Sequence, residues 1–340
     1  MAGPAGIADR LGLDAASRPW LDSLEAVGPP PGGVPLPRGD DAAAVLRRLG
    51  VAEPDAAAIL EALPSAEAQP ELWWLLERSY HQLVRSIGAG DAGAGWLPSL
   101  PAELGAPGRC FWVFVLLAAV GDVRRWHRER GIPDEVSWGT LADLGRHVAR
   151  FRRRTGGVGL DSQLWVALGF RGALFALGRL QFTPYRLKSG PGGPLFWYEA
   201  AEADATGEGL RPGDPALGIH VPEAGPLTPE ACDRSLGAAR AFFAEHLPEH
   251  ASGVGTCTSW LLDERLADVL PAASNIVRFQ ARFRIVPGAL DADDDILRFV
   301  FDRVPASLDD LRPSTELERA IVDHLRAGGH WRLRTGWLRL

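Results

Sequence analysis

The chain has 340 residues, 46% of them hydrophobic and 23% charged, with a formal net charge of -7. That length suits about two packed domains, and the acidic balance argues against bulk nucleic-acid binding, which depends on neutralising phosphates with Lys and Arg. Three cysteines, Cys110, Cys232 and Cys257, exclude a disulfide framework and any paired-cysteine metal centre.

Met1 to Asp14 has no basic stretch followed by an apolar one, so no signal peptide is expected. The longest apolar run, Cys110 to Val120, is shorter than the roughly 20 residues of a membrane span. Reduced thiols and a cytoplasmic location, away from membrane and nucleic acid, are the expectation. The first part of the chain then reads as helices. Asp40 to Leu49 has an acidic start and stops at Gly50, and Glu53 to Leu63 stops before Pro64. Pro70 to Ile87 carries Leu72, Leu75, Leu76, Leu83 and Val84 at helical spacing and ends at Gly88. Arg109 to Glu129 is a long buried helix ending at Gly131, and Thr140 to Arg153 is an amphipathic one. Val27 to Pro37 and Gly88 to Pro107, rich in Pro and Gly, should be irregular. No strand is expected before about Gly156, where Thr155-Gly-Gly-Val-Gly159 separates a helical N-terminal domain, 1–155, from a second domain, 156–340.

In the second part, Asp161 opens a helix running to about Leu177. Strand-like pieces follow at Gly178 to Leu187, Leu195 to Ala200 and Leu217 to Val221. Thr228-Pro229-Glu230 is a helix start, with the hydroxyl as cap and proline in the first turn, and that helix runs through Phe242 and Phe243 to about Leu247. Gly255 to Leu262 reads as a strand, Glu264 to Leu270 as a short helix, and Ser274 opens a helical or mixed segment. Arg284 to Val286 and Ile296 to Phe301 read as two strands around a turn, and Thr315 to Leu325 as the last helix before a strand-like tail, Trp331 to Leu340. Early consecutive strands should pair antiparallel, and the strand–helix–strand unit from Leu217 to Leu262 should form a parallel crossover. The fold class is α+β: a helical N-terminal domain, then a mixed β-sheet flanked by helices.

Several stretches carry a resemblance. Leu177-Gly-Arg-Leu-Gln-Phe182, Gly218-Ile-His-Val-Pro-Glu223, Gly225-Pro-Leu-Thr-Pro-Glu230, Cys257-Thr-Ser-Trp-Leu-Leu-Asp263 and Ser274-Asn-Ile-Val-Arg-Phe279 resemble a family of actinobacterial acyltransferase-domain proteins, which pair a helical N-terminal acyltransferase domain with a GNAT-like C-terminal domain. The element order is similar to the GNAT fold, in which an antiparallel meander precedes a strand–helix–strand unit that holds acyl-CoA. The resemblance implies transfer of an acyl group from acyl-CoA, or from acyl-phosphopantetheine on an acyl carrier protein, to an amine or hydroxyl acceptor on a small molecule or peptide. It implies a donor site at Ile219, Val221, Gly225, Leu227 and Thr228, with no metal. The loop departs from the family pattern Arg/Gln-x-x-Gly-x-Gly/Ala. Gly225 is present, but the second glycine and the basic start are absent. Pro226 and Pro229 each remove a backbone donor, and Glu223 and Glu230 add negative charge where phosphate would bind. A non-catalytic GNAT-fold module that binds a carrier protein, peptide or small molecule is therefore the alternative reading.

On that frame, His220 and Glu223 end the strand that holds the acyl group, where a base would take the proton of an attacking amine. Cys257 lies on the next strand, with Ser259 on the same face; its thiol suits an acyl-enzyme or protonation of the leaving thiolate, or simple burial. Trp260 would line an acyl or acceptor pocket beside Ser259. The basic face formed by Arg146, His147, Arg150, Arg152, Arg153 and Arg154 either meets an anion or is a solvated, ion-paired surface. Asp291 to Asp295 resembles a calcium loop but has Ile296 where that loop requires glycine.

Overall fold

The computed structural model of the chain describes residues 4–89, 97–187, 210, 211 and 213–340. It divides into two units, Met1–Phe175 and Ala176–Leu340. The division falls after Phe175 rather than at 155/156, because a helix at Gln163–Phe170 buries Val166, Ala167 and Phe170 in the core of the first unit. The strand-like stretch at Leu195 to Ala200 lies outside the described residues.

The first unit is helical. Its helices are α1 (Pro4–Leu11), α2 (Arg18–Val27), α3 (Gly39–Arg48), α4 (Glu53–Glu61), α5 (Pro70–Arg85), α6 (Gly105–Arg109), α7 (Phe111–Glu129), α8 (Asp134–Leu141), α9 (Asp143–Thr155) and α10 (Gln163–Phe170). α7 is its centre. Phe111 to Val120 are all buried, on every side of the helix, because α3, α5, α6, α8 and α10 all pack against it. The helical stretch Ala102–Glu129 meets the length and hydropathy of a membrane span, which the shorter run Cys110 to Val120 did not suggest, but 67% of its most apolar window is buried in this unit. The single helix expected at 140–153 is two: α8 ends at Leu141, and α9 starts at Asp143. α9 comes close to the turn after α3. The Gly145 N–H donates to the Leu49 carbonyl at 2.9 Å, and a Cβ on Gly145 would lie 2.0 Å from the Gly50 oxygen.

Among the described residues, the second unit is built on a seven-stranded sheet whose first strand starts at Phe175, the last residue of the first unit. The strands are β1 (Phe175–Leu177), β2 (Leu180–Arg186), β3 (Pro215–His220), β4 (Val254–Ser259), β5 (Arg284–Ile285), β6 (Leu290–Asp291) and β7 (Arg332–Arg339), in the order β1-β2-β3-β4-β7-β5, with β6 also on β7. β2 and β3 are antiparallel, and β3 and β4 are parallel, joined by helix α11 (Pro229–His246). The Thr228 hydroxyl caps α11 by accepting from the Ala231 N–H, as the sequence indicates. Around the far end of the sheet lie α12 (Leu266–Val269), α13 (Asn275–Gln280), α14 (Asp293–Phe301) and α15 (Glu316–Arg326).

Three expectations are corrected. The helix opened near Asp161 stops at Phe170, and Phe175–Leu177 is already strand, because Gly172, at φ 69°, turns the chain. The strand from Gly255 ends at Ser259, and Trp260–Leu262 forms a 3₁₀ turn. Ile296 to Phe301 is helix, not strand. Asp293, Asp294 and Asp295 sit in its first turn, where carboxylates oppose the helix dipole, and Ile296 and Leu297 bury against Leu266, Ile321 and Trp331. The tail is strand as expected, and β7 lies between β4 and β5 and pairs with both.

Candidate functional site

The centre of the second unit is a split in its sheet. β3 and β4 pair only at Leu217↔Gly255 and Gly218↔Thr256. Beyond that point β3 stays paired with β2 as far as His220, and β4 stays paired with β7 as far as Ser259. Ile219–His220 and Cys257–Ser259 thus keep their outer neighbours and release each other. Strand edges released in this way carry backbone N–H and C=O groups that an extended ligand can use.

The register sorts the side chains into two faces, since paired residues share a face and successive residues alternate. Leu180, Phe182, Leu217, Ile219, Cys257 and Leu338 are buried on one face. It is apolar, and α11 packs on the β2 end of the sheet. Gln181, Thr183, Tyr185, His220, Thr256, Thr258 and Thr335 lie on the other. That face also carries Ala216, Val254 and Trp337, clustered with Tyr185, and its polar groups are cross-linked. Thr183 Oγ1 and His220 Nε2 are 2.9 Å apart, Tyr185 and Thr256 join through their hydroxyls, and the Thr258 and Thr335 hydroxyls lie 2.8 Å apart. Sequence reasoning found His220 but missed Thr183, Tyr185, Thr258 and Thr335. The polar alternation Gln181, Thr183, Tyr185 is the signal that was available.

His220 is half-buried, and burial lowers its pKa to about 4. Its imidazole is therefore neutral at pH 7, and the same burial disfavours its protonated form. Cys257 lies on the opposite face from His220, which rules out a Cys–His couple between adjacent side chains. Burial pushes its thiol up to about 12, so almost no thiolate is present at neutral pH and the acyl-enzyme reading loses its nucleophile. Ser259 uses its hydroxyl to accept from the Leu261 N–H at 3.1 Å, capping the 3₁₀ turn. Trp260 is half-buried and packs against the cluster around Leu266, Ile296 and Trp331.

The loop from Val221 to Thr228 leads from the split into α11. Glu223 and Gly225 are exposed, and Gly225 has φ 59°. Val221 and Thr228 are half-buried, and Leu227 is buried. A residue that sequence reasoning passed over shapes this loop. Arg179, in the turn before β2, donates from Nη1 to the Pro222 carbonyl at 3.0 Å and from Nε to the Pro226 carbonyl at 3.2 Å. Arg282 donates to the Pro229 carbonyl at 3.0 Å. Both guanidiniums lie close enough to the first turn of α11 to act on Cys232, whose pKa burial raises and they lower. The positive charge missing from the loop's own sequence thus comes from two distant segments.

The basic face of α9 is ion-paired. Arg146 pairs with Asp143, Arg152 with Asp55 and Arg154 with Asp161. The acidic run at Asp291 to Asp295 is likewise structural. Asp293 accepts from the Trp331 N–H at 2.7 Å and meets His330 Nδ1 at 2.7 Å.

Comparison with known proteins bears on both units. The model of an N-acyltransferase N-terminal domain matches residues 40–172, and that of a GNAT-like C-terminal domain matches residues 174–338. Among solved structures, an acyltransferase in complex with decanoyl-CoA and teicoplanin is 43% identical, with a TM-score of 0.89 and 100% of both chains covered. A Trp→Ala variant of an acyltransferase in complex with octanoyl-CoA is 42% identical, and an acyltransferase in complex with decanoyl-CoA is 39% identical, each with the same TM-score and coverage. No curated protein is a significant match.

Proposed function

The chain belongs to the acyltransferase family that joins an N-acyltransferase N-terminal domain to a GNAT-like C-terminal domain, and from that premise we propose that it moves an acyl group from acyl-CoA to an amine on a small-molecule or peptide-like acceptor. The observation that carries this reading is the split between β3 and β4 beyond Gly218 and Thr256. A pantetheine arm is an extended, amide-bearing chain. It can lie in the split as a short added strand and place the thioester beside Ile219 and His220.

The acceptor nitrogen attacks the thioester carbonyl, a C–N bond forms, and the C–S bond breaks to release CoA. A strand-edge N–H near Ile219 would stabilise the oxyanion that develops. Neutral His220 takes the proton of the amine, directly or through water, and its hydrogen bond with Thr183 holds the ring. Glu223, in the exposed loop, is the competing candidate for that base. The relatives' complexes with octanoyl-CoA, decanoyl-CoA and teicoplanin support fatty-acyl donors and a glycopeptide-like acceptor for this chain as well. The alternative, a binding module without turnover, draws support from the proline-rich loop.

Mass spectrometry of reactions with decanoyl-CoA and teicoplanin tests the proposal. The wild-type protein should give a decanoylated product. His220→Ala should lower the rate about 100-fold or more with an unchanged melting temperature. Full activity in His220→Ala with loss in Glu223→Gln would move the base to Glu223. Tight CoA binding without product across several amine acceptors would favour the binding module.

A further inference from the structure

We infer that Arg179 is a positioning residue for the diphosphate of the donor, acting by aiming backbone N–H groups at it; this rests on the acyl-CoA reading above. The loop from Val221 to Thr228 lacks the paired glycines and the basic start that would let it wrap a diphosphate unaided, and Pro222, Pro226 and Pro229 have no N–H to offer. Its conformation is set from outside. Arg179 grips the Pro222 and Pro226 carbonyls with separate nitrogens of one planar guanidinium, at 3.0 and 3.2 Å. The Ala224 N–H also donates to the Pro222 oxygen, at 2.8 Å, closing a turn between the two grips.

The base of this clamp is itself anchored on the helix that the loop feeds. The backbone N–H groups of Arg179 and Leu180 both donate to Ser235 Oγ, at 2.7 and 3.2 Å, and Ser235 is fully buried on α11. Gly178 makes the approach possible. It has φ 74°, and a Cβ there would lie 2.8 Å from Ser235 Oγ.

A trans peptide is planar, so a carbonyl and the following N–H point in opposite directions. No cis peptide occurs among the described residues. Holding the Pro222 carbonyl therefore turns the Glu223 N–H away from the guanidinium, and holding the Pro226 carbonyl turns the Leu227 N–H away in the same manner. These peptide planes carry two of the few donors the loop has. The same grip neutralises two carbonyl oxygens that would otherwise repel phosphate. One arginine thereby does the work that glycines and a basic residue do in the usual loop.

Titration calorimetry of the full chain with decanoyl-CoA and with decanoyl-pantetheine, which keeps the thioester arm but has no diphosphate, tests the assignment. Arg179→Met should weaken decanoyl-CoA binding about tenfold or more and decanoyl-pantetheine binding less than about twofold. Arg179→Lys keeps the charge and loses the fork, so it should remain several-fold weak for decanoyl-CoA. Equal loss for both ligands, no loss for either, or full recovery by lysine would overturn it. Failure of the wild-type protein to bind either ligand would instead remove the acyl-CoA reading on which the inference stands.

Discussion

His220 and Cys257 look alike in the sequence, each a reactive residue in a strand-like stretch, and the register sets them on opposite faces. A thiol held near 12 and facing a core of Phe182, Ile219 and Leu338 is a packing residue. Cys257→Ala should therefore keep acyl transfer within about twofold while lowering stability by about 1 kcal/mol for the small cavity it leaves, read from initial rates and urea midpoints. A loss of 100-fold or more in rate at unchanged stability would restore the covalent reading. His220 was legible because it ends a short strand that meets a proline. Its partners were not, because Thr183, Tyr185, Thr258 and Thr335 come from three other strands, and no local pattern says which of them will share a face. Arg179 was hidden for a related reason: its work is on a loop more than 40 residues away in the chain.

Caps were the most readable elements. Thr228, Ser274 and Thr315 each stand before a helix and accept from an N–H three residues on, a local interaction that sequence spacing fixes. Thr228→Ala removes the cap of α11 at the end of the donor loop, so it should cost about 1 kcal/mol and shift the urea midpoint down accordingly. An unchanged midpoint would mean that the Arg282 contact with Pro229 already holds that end. Ile296 to Phe301 was misread because β-branched and aromatic residues favour strands locally. Burial of Ile296 and Leu297 beside Trp331, with three aspartates at the helix start, outweighs that preference. The pair α1 and α2 was not drawn from the sequence, although Trp20, Leu21 and Leu24 stand at helical spacing and are buried.

Each unit of the molecule holds a histidine whose pKa burial lowers to about 4: His127 in the first, where Arg124 adds to the effect, and His220 in the second. An unfolded histidine titrates near 6.5. Between about pH 4 and 6.5 the unfolded chain therefore binds more protons than the folded one, so stability is full above pH 6.5 and is lost as pH falls through that window. His127 is fully buried against Ser137 and should account for up to about 3 kcal/mol of this loss. Urea midpoints at pH 7.5 and 4.5 should differ strongly for the wild-type protein and less for His127→Gln. An equal difference in both proteins would contradict this account.

The amino-acid sequence by itself determined the local features: a helical first half, the antiparallel and crossover order of the early strands, the capped start of α11, and a proline-rich loop poor in phosphate donors. Periodicity, capping and the chemistry of proline act over a few residues, so they are present before the chain folds. The tertiary structure decided what depends on neighbours distant in sequence. It placed β7 inside the sheet, parted β3 from β4 after two residue pairs, brought polar side chains of four strands together on one face, and brought Arg179 to a loop whose own residues carry no cation. Those outcomes follow from strand order and burial, which no short stretch of the chain specifies alone.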